Sequence, residues 1–170
     1  MGRITRTNFG LTRTTKVTNA QIIALPTMAV PVIPAKPNFC ITPVLIALEF
    51  IWTADYTNID ANAACSFFVG DPANGNTIVG EAHENVGTQV SGTFAPGKSV
   101  ITWFTQGIQI DAPASTLTYS IPLPGYVPSQ MKGQPLNFAL INGVSGNLTG
   151  GNAANTMWIT VFYNMIQLRG

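Results

Sequence analysis

Apolar and polar residues alternate with a period of two in the clearest stretches of the chain. Leu117, Tyr119 and Ile121 alternate with Thr116, Thr118 and Ser120, and Leu136, Phe138 and Leu140 alternate with Asn137 and Ala139. Successive side chains of a strand point to opposite faces, so these segments read as strands with one buried face each. Further candidate strands are Phe39 to Thr53, Ala64 to Gly70, Thr77 to Gly80, Thr88 to Phe94, Ser99 to Ile110, Thr156 to Gln167 and Gln21 to Leu25. The 16 glycines and 12 prolines fall between these runs and leave no window of helical length. Turn signals stand at Asp71-Pro72-Ala73-Asn74-Gly75-Asn76 and Ala95-Pro96-Gly97-Lys98, and a long loop is expected from Gly143 to Asn155. About eight or nine short strands at this spacing predict an all-β chain folded as a single jelly-roll-like β-sandwich.

Two of the strands are apolar on both sides. The first carries Val44, Ile46, Leu48, Phe50 and Trp52 on one face and Leu45, Ala47, Glu49 and Ile51 on the other. The second sets Met157, Ile159, Val161, Tyr163 and Met165 against Trp158, Thr160, Phe162 and Ile166. One face of each enters the core of a sandwich. The other face, with Trp158, Phe162, Leu45 and Ile51, needs a different cover. A subunit interface is the expected one, because aromatic residues are enriched there; a loop or the N-terminal segment laid over the face is the alternative.

Composition sharpens this expectation. The chain has 170 residues, enough for one domain with a real core, and 46% of them are apolar, but only 9% are charged. A typical soluble domain is about 25% charged. A monomer of this mass exposes roughly 8,100 Å² by the usual scaling, so its charges would be spread at about one per 540 Å². Twenty Thr, 14 Asn, 7 Ser and 7 Gln fill part of the gap with neutral polar groups. The remaining deficit points to a surface covered by copies of the chain or by a larger assembly. The 16 aromatic residues and low net charge exclude disorder. The longest apolar run, Val44 to Leu48, is too short for a helical membrane span.

Residues 1–37 differ from residues 38–170. They hold Arg3, Arg6, Arg13, Lys16 and Lys36 with no acid, whereas the rest is net negative, and Pro26, Pro31, Pro34 and Pro37 impose extended backbone. The expected organisation is an extended basic arm over 1–37 and a sandwich over 38–170. Arg3, Arg6 and Arg13 stand among threonines without an apolar run, which does not read as a secretory leader. The arm is too sparsely charged to make nucleic acid its expected partner, since the four cations in its first sixteen residues give only a shallow salt dependence. It suits a protein partner better: Phe9 and Leu11 would fill pockets while Arg3, Arg6, Arg13 and Lys16 meet acidic surface.

No constellation announces catalysis. The single histidine, His83, lies in Gly80-Glu81-Ala82-His83-Glu84-Asn85, and no Gly-x-Ser-x-Gly elbow is present. On a strand only Glu81 and His83 of that cluster share a side, so a solvated loop is expected rather than a metal site. Asp71, Asn74 and Asn76 lack calcium-loop spacing. Glu49, Asp55, Asp60 and Asp111 lie on separate segments, so sequence alone does not bring them together and an acid/base pair across the fold stays open. Cys40 and Cys65 lack Cys-x-x-Cys spacing and read as two buried thiols, with a bridge between neighbouring strands left open. No enzyme activity, cofactor or metal is expected.

A short sandwich, a Thr/Asn/Ala-rich charge-poor surface, a basic Pro-interrupted arm and the aromatic final strand Met157-Trp158-Ile159-Thr160-Val161-Phe162-Tyr163 together resemble virion structural proteins, and most nearly the jelly-roll decoration, or cement, proteins of tailed-phage capsids. The resemblance implies a homotrimer on the capsid exterior, made in the host cytoplasm, that clamps neighbouring major capsid subunits through its surface and its arm. Two other roles share the same features. One is a small jelly-roll subunit that builds the shell itself. The other is a receptor- or carbohydrate-binding fibre head, in which Trp52, Trp103 or Trp158 would stack on sugars.

Overall fold

A computed structural model describes residues 4–59, 64–70, 77–79, 97–104, 116–120, 131–141 and 145–168. In these residues the chain is built mostly of strands: β1 (Ile4–Thr18), β2 (Val30–Ile33), β3 (Phe39–Trp52), β4 (Tyr56–Thr57), β5 (Ala64–Val69), β6 (Thr77–Val79), β7 (Gly97–Phe104), β8 (Thr116–Ser120), β9 (Leu136–Ile141), β10 (Thr149–Gly150) and β11 (Thr156–Leu168), with one short helix, α1 (Asn19–Ala24). One sheet has the order β1-β11-β3-β7-β8, a second has β2-β9-β5-β6, and β10 and β4 make a small ladder. All pairings are antiparallel except β7 with β8.

The order is informative. Without β8 and the β4/β10 ladder, the remaining strands taken in chain order lie first-eighth-third-sixth in one sheet and second-seventh-fourth-fifth in the other. The chain therefore changes sheet at every connection except β5 to β6. That is the double Greek-key winding of a jelly roll. The expected all-β sandwich of this type is what the strands form.

Its core lies between the sheets. Val17, Ile46, Leu48, Phe50, Ile159 and Val161 from the first sheet meet Val30, Val32, Phe67, Val69, Leu136, Phe138 and Leu140 from the second in one buried cluster. Phe67 and Phe138 are direct cross-strand partners, with ring centroids 4.9 Å apart, a spacing at which aromatic pairs add to simple burial.

Three features differ from the reading of the sequence. First, Gln21 to Leu25, expected as a strand, lies in α1 and its C-cap. Thr18 and Gln21 form a capping box, in which Thr18 N donates to Gln21 Oε1 at 2.9 Å and Gln21 N to Thr18 Oγ1 at 3.4 Å. Ile22 and Leu25, three apart on one helical face, are fully buried. Second, residues 4–18 do not stand off as an arm. They are the edge strand β1, paired with β11 from Ile4↔Leu168 to Thr18↔Thr156. The β2 residues Val30, Val32 and Ile33, also within 1–37, belong to the core. Strands on both sides of residue 37 pair within the same two sheets, so no boundary between arm and sandwich falls there. Thr-rich alternation suits a strand paired on one side, and Thr15 Oγ1 donates to Val32 O at 3.0 Å, tying β1 to β2 at the rim. Third, Val44 is out of phase with Ile46, because the β3–β11 register shifts between the pairs Phe162↔Leu45 and Tyr163↔Pro43. Proline cannot donate to a ladder and sits at bulges, so Pro43 explains the extra residue.

The turns at 71–76 and 95–96, the strand Thr88 to Phe94 and the His83 cluster lie outside the described residues.

Candidate protein-interaction surface

The outward side of the five-stranded sheet gathers the residues that the two-sided apolar pattern left without a cover. Along β11 the burial alternates strictly: Met157, Ile159, Val161, Tyr163 and Met165 are buried, while Trp158 and Phe162 are 38% and 41% exposed. Register then assigns the neighbours. Trp158 stands opposite Glu49 on β3 and Lys16 on β1, Thr160 opposite Ala47 and Thr14, and Phe162 opposite Leu45 and Thr12. Ile51 is opposite Thr156 on the same face. The four residues expected at an interface, Trp158, Phe162, Leu45 and Ile51, therefore share one sheet face. Leu45 and Ile51 are half-buried. Val100, Thr102 and Phe104 of β7 and Thr116, Thr118 and Ser120 of β8 continue the same rows by register.

The rows differ in height because their residues differ in size. Lys16 Nζ lies over the Trp158 ring, 5.4 Å from its centroid, and holds it by a cation–π contact. Beside that row, Thr14 and Thr160 share a hydroxyl–hydroxyl hydrogen bond of 2.9 Å, and with Ala47 they form a row of small side chains. The result is a shallow depression of about 310 Å³ lined by Thr14, Ala47, Glu49, Trp158 and Thr160. Phe162 rises next to it, one outward position further along β11.

The basic residues expected to dock a partner are distributed unevenly. Lys16 belongs to the outward face, and Arg13 is exposed on β1 opposite Val161, at the sheet rim. Leu11 is half-buried and packs against the core rather than reaching out. Arg6 and Phe9 lie in β1, where only their backbone is described, and Arg3 lies outside the described residues.

A second gathering of polar side chains closes one end of the sandwich, and its groups serve the fold. Asn155, fully buried, accepts from Thr53 N at 2.7 Å and donates from Nδ2 to Ala54 O at 2.7 Å. Asn58 Nδ2 donates to Asn147 O at 2.7 Å and Ser145 O at 3.2 Å, and Tyr56 Oη donates to Asn19 Oδ1 at 2.7 Å. Asn147 of the Asn-Leu-Thr sequence also accepts from Thr27 Oγ1. Only structure made the role of these asparagines visible, since their spacing in sequence is irregular. Burial pushes the Tyr56 phenol above its ordinary range, partly offset by the Asn155 side chain. Because the folded-state value is raised, the stabilisation is full below about pH 10, the unfolded phenol's range, and is lost as pH rises through the folded value. Tyr56→Phe is expected to flatten the loss of thermal stability above about pH 10 while lowering stability at pH 7 by about 1 kcal/mol through the lost Asn19 bond. Melting curves of both proteins from neutral to alkaline pH check this; identical alkaline slopes would assign the loss to other groups.

Among the described residues no group of three or more His, Cys, Asp or Glu side chains is placed to hold a metal ion. Glu49 lies on the outward face and Asp55 in the exposed turn after β3, while Asp60 and Asp111 lie outside the described residues. Cys40 is a buried thiol whose pKa is raised by burial, with Lys132 opposing. Cys65 is described only as a backbone position in β5, opposite Leu140. No described helix is long and apolar enough to cross a membrane. The chain is thus an all-β jelly-roll sandwich with an aromatic outward face. No protein-family model and no curated protein matches it.

Proposed function

We propose that this chain is a virion structural protein, a capsid decoration or cement protein that assembles as a homotrimer and clamps neighbouring major capsid subunits from the capsid exterior. The observation that carries the reading is the outward sheet face, where Trp158 and Phe162 stand exposed four residues apart on a strand whose other side already fills the core. A jelly roll needs only one face of each sheet for its own core. A second face that carries two exposed aromatic side chains, on a chain with 9% charged residues, suits permanent company. Multivalent attachment then makes a lattice hard to peel apart even when single contacts are modest. No catalytic role, cofactor or nucleic-acid contact belongs to this reading.

The placement of β1 in the sheet changes how such a protein would grip. Attachment falls to sheet faces, the exposed Arg13 rim and the loops, not to a free arm of 37 residues. A sugar-stacking head is less well supported, because Lys16 already lies over the ring of Trp158, the one tryptophan whose side chain is described.

The test is expression of the chain alone and with a candidate major capsid protein from the same genome. Alone it is expected to give small oligomers and no particles in electron micrographs, and to co-sediment saturably with preformed capsids lacking it. Closed particles from the chain alone would make it a shell subunit. Failure to co-sediment would overturn the decoration role.

A further inference from the structure

Two features of opposite relief stand side by side on the outward face. The hollow is the small-residue row Thr14, Thr160 and Ala47, where the depression of about 310 Å³ opens. That exceeds the roughly 150 Å³ that accepts a benzene ring in an engineered protein cavity. The knob is Phe162, 41% exposed and about 7 Å further along β11 than Thr160. Knob and hollow open toward the same side, so a chain cannot seat its own phenyl ring in its own depression. A second copy laid face to face can.

The spacing of the two features selects one arrangement of two copies. A two-fold axis in the contact plane along the strands would set Phe162 against Phe162 and hollow against hollow, leaving both hollows empty. An axis in that plane across the strands, at the level of Val161, instead exchanges the row of Phe162 with the row of Thr160. Both knobs then meet hollows at once. From this geometry we infer that two copies pair face to face through a self-complementary contact, with Phe162 of each seated in the Thr14–Thr160–Ala47 depression of the other. Trp158, the other exposed aromatic side chain of β11, falls at the level of Asn164 of the second copy and is covered by the same contact. The pairing goes beyond the proposed role and does not rest on it, since it joins two free chains or one chain from each of two trimers.

Charge and size agree with a second copy as the occupant. Lys16 lies on the row of Trp158, so in this arrangement the two Lys16 side chains stand about 20 Å apart along the strands, well beyond the Debye length of about 8 Å at physiological salt. Arg13, at the level of the axis, belongs to the inward side of β1 with its register partner Val161. No described cation therefore opposes its own image. Strands β1, β11 and β3 run together from Thr156 to Ile166, and three strands spaced by about 4.8 Å over about 33 Å give a footprint of about 480 Å² a copy. Two copies thus cover about 1,000 Å² before β7 and β8 widen the sheet, and specific contacts begin at about that size.

Two substitutions separate knob from hollow. Phe162→Ala removes the knob, and Ala47→Trp fills the hollow from a half-buried outward position. Native mass spectrometry and sedimentation of the unaltered chain at micromolar concentration are expected to show an even number of copies. Each substitution is expected to halve that mass, raising the concentration of half-assembly at least tenfold, without changing the far-ultraviolet circular dichroism. Met28→Ala, which removes an exposed apolar side chain away from this face, should leave the mass unchanged. A photo-crosslinking phenylalanine analogue at position 162 gives an independent readout. Its linkage should map to residues 12–16, 45–49 or 158–162 of another copy, with covalent dimers as the largest product, because a reciprocal pair closes on itself.

A monomer or an odd-numbered assembly of the unaltered chain overturns the pairing. So does a mass that survives both substitutions, or one that Met28→Ala lowers as much. Crosslinks to another segment overturn it too, as do covalent trimers and longer ladders, which mark a head-to-tail contact. Failure of the decoration role reads differently. A chain that pairs through Phe162 but does not co-sediment with capsids keeps the contact and loses the role, whereas one that co-sediments while Phe162→Ala leaves its mass unchanged keeps the role and loses the contact.

Discussion

Removal of residues 2–18 is expected to abolish cooperative folding, giving insoluble protein or a species that binds hydrophobic dyes and shows no sharp thermal transition. The segment looks dispensable from its charge and threonine content, but it is the edge strand β1, paired with β11 from Ile4 to Thr18 with register shifts only between Ile4 and Arg6 and between Asn8 and Leu11. Val17 is fully buried and Leu11 packs on the core, and burial of such side chains stabilises by about 1.5–3 kcal/mol each. Thr15 ties the strand to β2, and Thr18 caps α1, whose Ile22 and following Leu25 are fully buried. The deletion would also open the edge of β11, a strand with apolar residues on both faces, which is a template for aggregation. Against a total stability of about 5–15 kcal/mol, these losses are decisive. Solubility, dye binding and a calorimetric scan check the outcome. A soluble truncated chain with a cooperative transition would mean that β1 is an accessory to the sheet.

The same strand shows where sequence patterning stops being readable. Strands β8, β9, β3 and β11 announce themselves through alternation, because each has at least one continuous apolar face. In β1 only Leu11 and Val17 of the residues after Gly10 are apolar, and the intervening inward positions are Arg13 and Thr15. An edge strand pairs on one side and lies at the rim of the core, so it needs few apolar residues and leaves little periodic signal. Prolines misled in a related way. Pro31 is exposed in β2, an edge strand where a missing donor costs little, so a Pro-interrupted segment belongs to the sandwich. The helix α1 did have a signal, the Thr18-x-x-Gln21 capping pair. Its six residues were too few for helical periodicity to compete with the β-branched Ile22 and Ile23.

The candidate surface was legible in part for the opposite reason. Two-sided apolar runs in β3 and β11 are visible without structure, since no wet face can be drawn on them. Their adjacency is not visible. Pairing of β11 between β1 and β3 puts Trp158, Phe162, Leu45 and Ile51 on one plane, and adds Lys16, Thr14, Ala47 and Glu49, which give the plane its relief. Ala47 in particular carries no signal of its own in the sequence. Its meaning comes from being the small residue opposite Thr160, between larger side chains.

Asn155→Ala is expected to destabilise the chain by about 3 kcal/mol, lowering the melting temperature by about 6–12 °C for a domain of this size. The side chain is fully buried and bridges the turn after β3: Oδ1 accepts from Thr53 N at 2.7 Å, Thr53 Oγ1 at 3.3 Å and Ala54 N at 3.4 Å, and Nδ2 donates to Ala54 O at 2.7 Å. Truncation strands these part-buried backbone groups, and an unsatisfied buried group costs about 1–3 kcal/mol. The turn leads into Tyr56, which fixes the β4/β10 ladder and packs so closely under Gly151 that a Cβ there would collide with its ring; Gly151 also has φ +74°. Asn155→Asp separates the donor from the acceptors. It keeps the acceptor for Thr53 N but sets a carboxylate against Ala54 O, so at neutral pH it should destabilise at least as much as alanine. Protonation restores a donor, and burial beside a carbonyl favours the protonated form in the folded state. The aspartate variant should therefore regain stability relative to the alanine variant as pH falls through the carboxyl range, by linkage to proton uptake. Thermal melts of the two variants between neutral and mildly acidic pH decide the matter. Parallel curves would show that the Nδ2–Ala54 bond contributes nothing, and that Asn155 acts through its acceptor alone.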